Sequence, residues 1–261
     1  MRSLNIGATG MLAQQLNVEV ISNNIANMNT TAYQRRRAEF QDLLYQNQRR
    51  AGAQSSDANT IVPSGVQVGL GVKTAAVYRI SEQGNLTLTE NPLDLAINGD
   101  GFFQITLPSG ETGYTRAGSF QLDGDGDIVS VDGFTVQPGL TVPANAIDIT
   151  INASGQVQAS IEGQVAPQNL GQLELSRFPN EAGLLAVGDN LFLETPASGA
   201  AQSAAPATAG FGSIQQGFLE TSNVNVVEEI TNLITAQRAY EMNSKVIETS
   251  DQMMATVTNL R

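Results

Sequence analysis

The 261-residue chain contains no cysteine, no histidine and no tryptophan. Without cysteine there is neither a disulfide framework nor a thiolate metal site. Without histidine there is no Ser-His-Asp triad, no Cys-His pair and no ordinary zinc or non-haem iron centre. Carboxylates, Lys73, Lys245, tyrosines and hydroxyls are the catalytic groups that remain. A paired-carboxylate glycosidase stays open on that vocabulary, but the tryptophan platforms of sugar grooves are missing. The residues point away from an enzyme, and no cofactor is expected.

Positive charge is also scarce: 13 basic residues face 25 acidic ones, a net charge of −12. Nucleic-acid binding needs clustered Lys and Arg with stacking aromatics. Arg35, Arg36 and Arg37, followed by Arg49 and Arg50, form the one short basic cluster, with no basic fold around it. No nucleic-acid partner is expected. Long apolar runs are absent too; none approaches the roughly 20 residues that span a bilayer, so no membrane insertion is expected. Gln14, Gln15, Asn17 and Glu19 interrupt what would have to be the apolar core of a cleavable signal peptide. On this ground alone the chain reads as cytosolic.

Charge, glycine and proline are unevenly placed. Residues 1–50 hold six Arg and three acids, whereas residues 81–174 hold twelve acids and only Arg116 as a base. Residues 1–45 contain only Gly7 and Gly10 and no proline, and Leu219–Arg261 contains neither residue. The other 23 glycines and all nine prolines lie between. Because Gly and Pro punctuate turns and interrupt helices, the ends are predicted helical and the middle β with turns.

The N-terminal helix, predicted over Ser3–Met28 and about 39 Å long, carries a heptad track of Leu4, Met11, Val18 and Ile25, with Gly7, Gln14, Ile21 and Met28 beside it. The C-terminal helix carries Val226, Leu233, Tyr240, Ile247 and Met254 at the same spacing, and a neighbouring track of Glu229, Ala236, Asn243, Ser250 and Val257. Seven-residue repeats of this kind are the seams of helices packed on helices. Ser222, Asn223 and Asn225 are candidate N-caps. An intramolecular hairpin and a contact with neighbouring subunits both satisfy the repeat, and periodicity alone does not choose between them.

The middle reads as antiparallel β, with strands expected at 67–72, 75–80, 85–88, 95–97, 102–107, 118–122, 147–151, 156–161, 172–178 and 190–194. Asn98-Gly99, Asp100-Gly101, Ser109-Gly110, Asp123-Gly124, Asp132-Gly133 and Ser154-Gly155 mark the turns. Residues 196–209, mostly Ala, Ser, Gln and Pro, read as an exposed loop. One β domain of roughly 150 residues, barrel-like or a sandwich, accounts for these strands.

Asp123-Gly-Asp125-Gly-Asp127 opens like a calcium loop, yet Ile128 and Phe134 occupy the positions where an EF-hand needs glycine and a bidentate acid. A hairpin turn explains it better; a calcium-binding surface module is the lesser alternative. Gly65, Gly69 and Gly71 lack the Gly-Lys-Ser/Thr of a phosphate loop.

Ile21-Ser-Asn-Asn-Ile-Ala-Asn-Met-Asn-Thr-Thr-Ala-Tyr33 resembles the N-terminal signature of the bacterial flagellar rod, hook and hook-associated axial proteins, N-N-I-A-N-x-N-T-x-G-[FY]. Asn23, Asn24, Ile25, Ala26, Asn27, Asn29, Thr30 and Tyr33 match it, and Ala32 stands in place of its glycine. Leu95–Gln104, Tyr114–Phe120, Gly217–Ile230 and Ala236–Lys245 are similar to further segments of that family, so the resemblance runs through nearly the whole chain. Phe40–Tyr45 with residues 46–65 resembles the segment that sets the distal-rod branch apart from the hook branch; a proximal rod or hook paralogue is the alternative.

The resemblance implies an α+β fold in which terminal helices, residues 1–30 and 222–261, pack as a coiled-coil-like inner domain. Residues 31–70 would be an extended linker and residues 71–221 a β-rich outer domain. It implies a non-enzymatic subunit that self-assembles into a helical tube, transmits torque and encloses the export channel. The implied partners are further copies of the chain, proximal rod and hook subunits, the surrounding basal-body rings and the flagellar type III export apparatus. The implied location is a rod crossing the periplasm, reached without a cleavable signal peptide, which replaces the cytosolic reading. The heptad residues named above would then form the polymerisation seam.

Overall fold

The computed structural model describes residues 2–52, 64–164 and 166–259. The fold is α+β, with two long helices and many antiparallel strands. The chain divides into two compact units, one comprising Met1–Ala26, Arg36–Tyr78 and Asn225–Arg261, the other Asn27–Arg35 and Arg79–Val224.

The first unit contains α1 (Arg2–Ala26), β1 (Arg36–Asp42), β2 (Tyr45–Arg49), β3 (Val66–Gly69), β4 (Val72–Arg79) and α2 (Val226–Asn259). Both helices grow from segments without proline, and α2 runs 34 residues, about 51 Å at 1.5 Å per residue. Of the three candidate caps, Asn225 serves: its Oδ1 accepts the Val227 and Glu228 N–H groups at 3.1 and 3.4 Å. Glu228 and Glu229 follow in the first turn, where carboxylates complement the helix dipole. β1 pairs with β4 and packs against α1, while β2 and β3 form a separate antiparallel pair.

In the second unit, β5 (Leu86–Leu88), β6 (Leu95–Asn98), β7 (Phe102–Thr106), β8 (Thr112–Thr115), β9 (Phe120–Leu122) and β10 (Ile128–Ser130) come first. β11 (Ala146–Ile151), β12 (Gln156–Ile161), β13 (Gln168–Gln172), β14 (Leu175–Arg177) and β15 (Leu185–Gly188) follow. β16 (Leu191–Leu193), β17 (Gln202–Ala204), β18 (Ser213–Gln216) and β19 (Phe218–Glu220) complete it. A six-stranded sheet has the order β15-β16-β8-β7-β14-β17, and β11-β12-β13 form a second sheet. Two-stranded pairs β9/β10, β6/β18 and β5/β19 complete the described pairing. The alternation of adjacent side chains across a strand lets Phe102 and Phe103 serve two different cores. Phe103 joins Leu95, Ile97, Phe120, Val157 and Leu175, whereas Phe102 joins Tyr114, Phe178, Leu184 and Phe192. Edge-to-face ring contacts at 4.7 to 6.0 Å knit both clusters.

Residues 196–209 are not simply an exposed loop. Gln202–Ala204 adds to β14 as β17, and Pro206 is buried. Small polar side chains concealed the strand, because its partner supplies the apolar face.

Candidate functional site

The two chain ends meet in the first unit, where α1 and α2 pack on one another. Three contacts set their direction. A Cβ placed on Gly7 would sit 2.9 Å from Ile247 Cγ1, and one on Gly10 would sit 2.8 Å from Asn243 Nδ2. Asn24 Nδ2 donates to Glu229 Oε1 at 3.3 Å. As the position on α1 advances, that on α2 retreats, so the pair is antiparallel.

The deepest positions of this pair are small or polar. Gly7, Ala13, Val20, Ile21 and Asn24 are buried on α1, and Glu229, Ala236 and Ser250 on α2. Small residues allow the backbones to approach closely, which is why Gly7 and Gly10 are tolerated inside a helix despite their conformational cost. Gly7, Ile21, Glu229, Ala236 and Ser250 belong to the neighbouring heptad tracks, and the leading tracks sit further out. Leu4, Met11, Val18, Ile25, Val226, Leu233, Ile247 and Met254 are half-buried, and Tyr240 is 44 % exposed. Beyond them, α2 presents Val227, Ile230, Ile234, Met242, Val246 and Met253 to solvent.

The signature residues divide into different tasks. Asn24 is 1 % exposed; its Oδ1 accepts the Arg36 N–H at 2.9 Å and its Nδ2 donates to the Arg36 carbonyl at 2.9 Å. Asn23, Ala26 and Asn29 are exposed, while Ile25, Asn27, Thr30 and Tyr33 are half-buried. Thr30 Oγ1 donates to Asn27 Oδ1 at 3.1 Å, and the Thr30 N–H bonds the Asn27 carbonyl, closing the turn that follows α1. Ala32 adopts φ 55° with its N–H bonded to the Glu220 carbonyl at 2.8 Å. It therefore adopts the left-handed backbone that glycine, the residue of the signature at this position, takes most readily.

Three further polar residues carry the packing within the two units, Glu229 from the neighbouring heptad track and Asn223 and Arg116 from outside the heptads and the signature. Glu229, in the first turn of α2, is also buried beside Asn24. Asn223, a cap candidate, accepts the Arg35 N–H at 2.7 Å and donates to the carbonyls of Ile80 and Glu82 at 3.0 and 2.9 Å. Arg116, the lone base of the acidic middle, is buried against Glu220 at 2.6 Å and donates to the carbonyls of Gly101 and Gly99. Its singularity among twelve acids was the available signal.

The Asp/Gly stretch is a turn between β9 and β10. Asp123 Oδ1 accepts the Asp125 N–H, Asp127 Oδ1 accepts the Thr141 hydroxyl, and Gly126 supplies φ 89°. Among the described residues, no group of three or more acids is arranged to hold a metal ion. No described helix is long and apolar enough to cross a membrane.

Terminal helices that pair although nearly the whole sequence separates them, with a second, β-rich unit built from the intervening residues, are the organisation of a structural subunit of the axial class. Family models agree with that reading. Residues 4–34 match the flagella basal body rod protein family, residues 96–159 the flagellar hook protein FlgE/F/G D1 domain, and residues 215–260 the flagellar basal body rod FlgEFG protein C-terminal region. The chain is 63 % identical over 261 residues, all of both chains, to the flagellar basal-body rod protein FlgG of Caulobacter vibrioides. It is 55 % identical over 258 residues to that of Agrobacterium fabrum, covering 99 % of this chain and 98 % of the relative. Identity to the FlgG of Bacillus subtilis is 37 % over 266 residues, covering 100 % and 99 %. The chain belongs to the flagellar basal-body rod protein family, nearest its distal-rod branch, and is a structural subunit of the rod rather than an enzyme.

Proposed function

We propose that copies of this chain assemble through their terminal helices into a helical tube, the distal drive shaft that carries torque to the hook and encloses the export channel. The observation that carries this reading is the set of large apolar residues, Ile230, Ile234, Met242, Val246 and Met253, left exposed round the outer half of α2 after α1 has packed. Burying these side chains against further helices yields roughly 25 cal/mol per Å². Contacts that propagate as a shaft are heterologous and do not close, because a closed symmetric contact ends growth.

In this reading residues 1–30 and 222–261 form the inner tube as a coiled-coil-like layer. Residues 31–70 link the layers and residues 71–221 lie outside. The seam comprises Leu4, Met11, Val18, Ile25, Val226, Leu233, Tyr240, Ile247 and Met254. Proximal rod and hook subunits meet the two ends of the shaft, ring proteins surround it in the periplasm, and the type III apparatus delivers the chain.

Electron microscopy of the purified chain under assembling conditions tests the proposal. Tubular polymers are expected from the native chain and none from Leu233→Asp, whose buried charge has no partner, while the circular dichroism of the β unit persists. Normal tubes from Leu233→Asp would sink the seam assignment.

A further inference from the structure

We infer that Asn24 and Glu229 form a clasp that makes order in the strand β1 depend on pairing of the terminal helices. The inference deepens the proposed assembly and rests on it for its biological use, though not for its chemistry.

A primary amide carries both an acceptor and donors. Asn24 uses them on one residue, taking the Arg36 N–H at Oδ1 and giving Nδ2 to the Arg36 carbonyl, both at 2.9 Å. This is the exchange that a neighbouring strand residue makes in an antiparallel ladder. A side chain from the last turn of α1 thereby replaces a missing strand at the first residue of β1.

The same Nδ2 also reaches Glu229 Oε1 at 3.3 Å, from the first turn of α2. The amide plane is consequently aimed by a group that is in place only when α2 lies against α1. Asn24 and Glu229 are 1 % and 6 % exposed, so the bond between them is made out of water, where losing it costs most. Aspartate at position 24 could not replace asparagine, for it has no donor for the Arg36 carbonyl and would oppose the Glu229 carboxylate. Ordering of the helices, wherever along their length it is secured, then reaches the first residue of β1 through this amide, in addition to the packing of β1 on α1 and its pairing with β4. Glu229 is a positioning residue and Asn24 the group that holds the strand.

Hydrogen exchange on the full-length chain, followed over residues 34–43 and over both helices, reads the coupling. Asn24→Ala is expected to speed exchange across β1 about tenfold, the weight of roughly one net hydrogen bond, leaving the helices protected. Glu229→Ala should do the same more weakly, and Glu229→Gln, which keeps an oxygen acceptor, should restore protection. The decisive variant is Gly7→Leu, which spreads the helices at the opposite end of α1. It should speed β1 exchange when Asn24 is present and have a clearly smaller effect when Asn24→Ala is combined with it, what remains passing through Thr9 and the paired strand β4. An equal effect of Gly7→Leu in both backgrounds, or undisturbed β1 exchange in Asn24→Ala, would overturn the clasp. Tube formation is scored separately by microscopy, so its absence counts against assembly and leaves the exchange result to decide the clasp.

Discussion

At Ala32 the backbone lies at φ 55°, a region where a Cβ crowds the following carbonyl at a cost of about 1–2 kcal/mol. The position is buried, and its N–H is committed to the Glu220 carbonyl, so the chain cannot relax it away. Ala32→Gly should therefore stabilise the second unit by about 0.5–1 kcal/mol, since part of the relief is offset by the greater freedom of glycine when unfolded. Urea unfolding should show a higher midpoint at unchanged slope. Tyr114 makes a pH-dependent contribution. Burial first, and the Glu194 carboxylate second, push its phenol above the usual value of about 10. A raised pKa favours the neutral form in the fold, so the stability it supports is present below about pH 10 and lost as pH climbs through the raised value. Tyr114→Phe should flatten that alkaline loss in urea midpoints taken across the range. Arg116 and Glu220 show the opposite situation, a buried ion pair with each partner also held by backbone groups, Gly101 and Gly99 by the former and the Gly84 N–H by the latter. Removing either partner leaves the other charge uncompensated, the expensive way to break such a pair.

Among the elements, the helix pair depends on what is small. Gly7 and Gly10 let α1 settle against Ile247 and Asn243, leaving no room for a branched side chain. Gly7→Leu is expected to destabilise the pair by about 1–3 kcal/mol, the usual consequence of overpacking. Loss of helical circular dichroism at lower denaturant, with the transition of the β unit unmoved, would register it. Sheet edges are managed by amides. The β11 edge is covered by Gln216, which accepts the Ile151 N–H at 2.9 Å and donates to the Ile149 carbonyl at 2.7 Å. The β6 edge is covered in the same way by Gln83, bonded to the Gly99 N–H and the Ile97 carbonyl at 3.1 and 2.9 Å. Backbone groups satisfied in this way are withdrawn from pairing with a strand of another chain.

For the whole molecule, the three-part distribution of glycine and proline was enough to place helices at both ends and β structure between. That inference succeeds because backbone freedom and missing N–H donors act locally, whatever the tertiary partners. The heptads likewise show that both helices pack on helices. The signature residues carry the family resemblance that the relatives bear out. Position in the fold is another matter. β1 and β2 went unrecognised because their side chains are largely exposed and polar, so no alternation marks them. β17 was hidden for the same reason. Nor does periodicity reveal that Gly7, Ala236 and Ser250 lie deeper than Leu4, Val226 and Leu233. Depth depends on how near two backbones come, and that nearness is set by pairs of residues more than 200 positions apart. The opening absences of cysteine and histidine removed whole classes of chemistry at once, since a missing functional group is missing in every conformation. Which amide meets which backbone, as Asn24 meets Arg36 and Asn223 meets Arg35, was decided by the tertiary structure alone. A side-chain hydrogen bond has no period along the chain, and it exists only where folding brings its two partners within 3 Å or so.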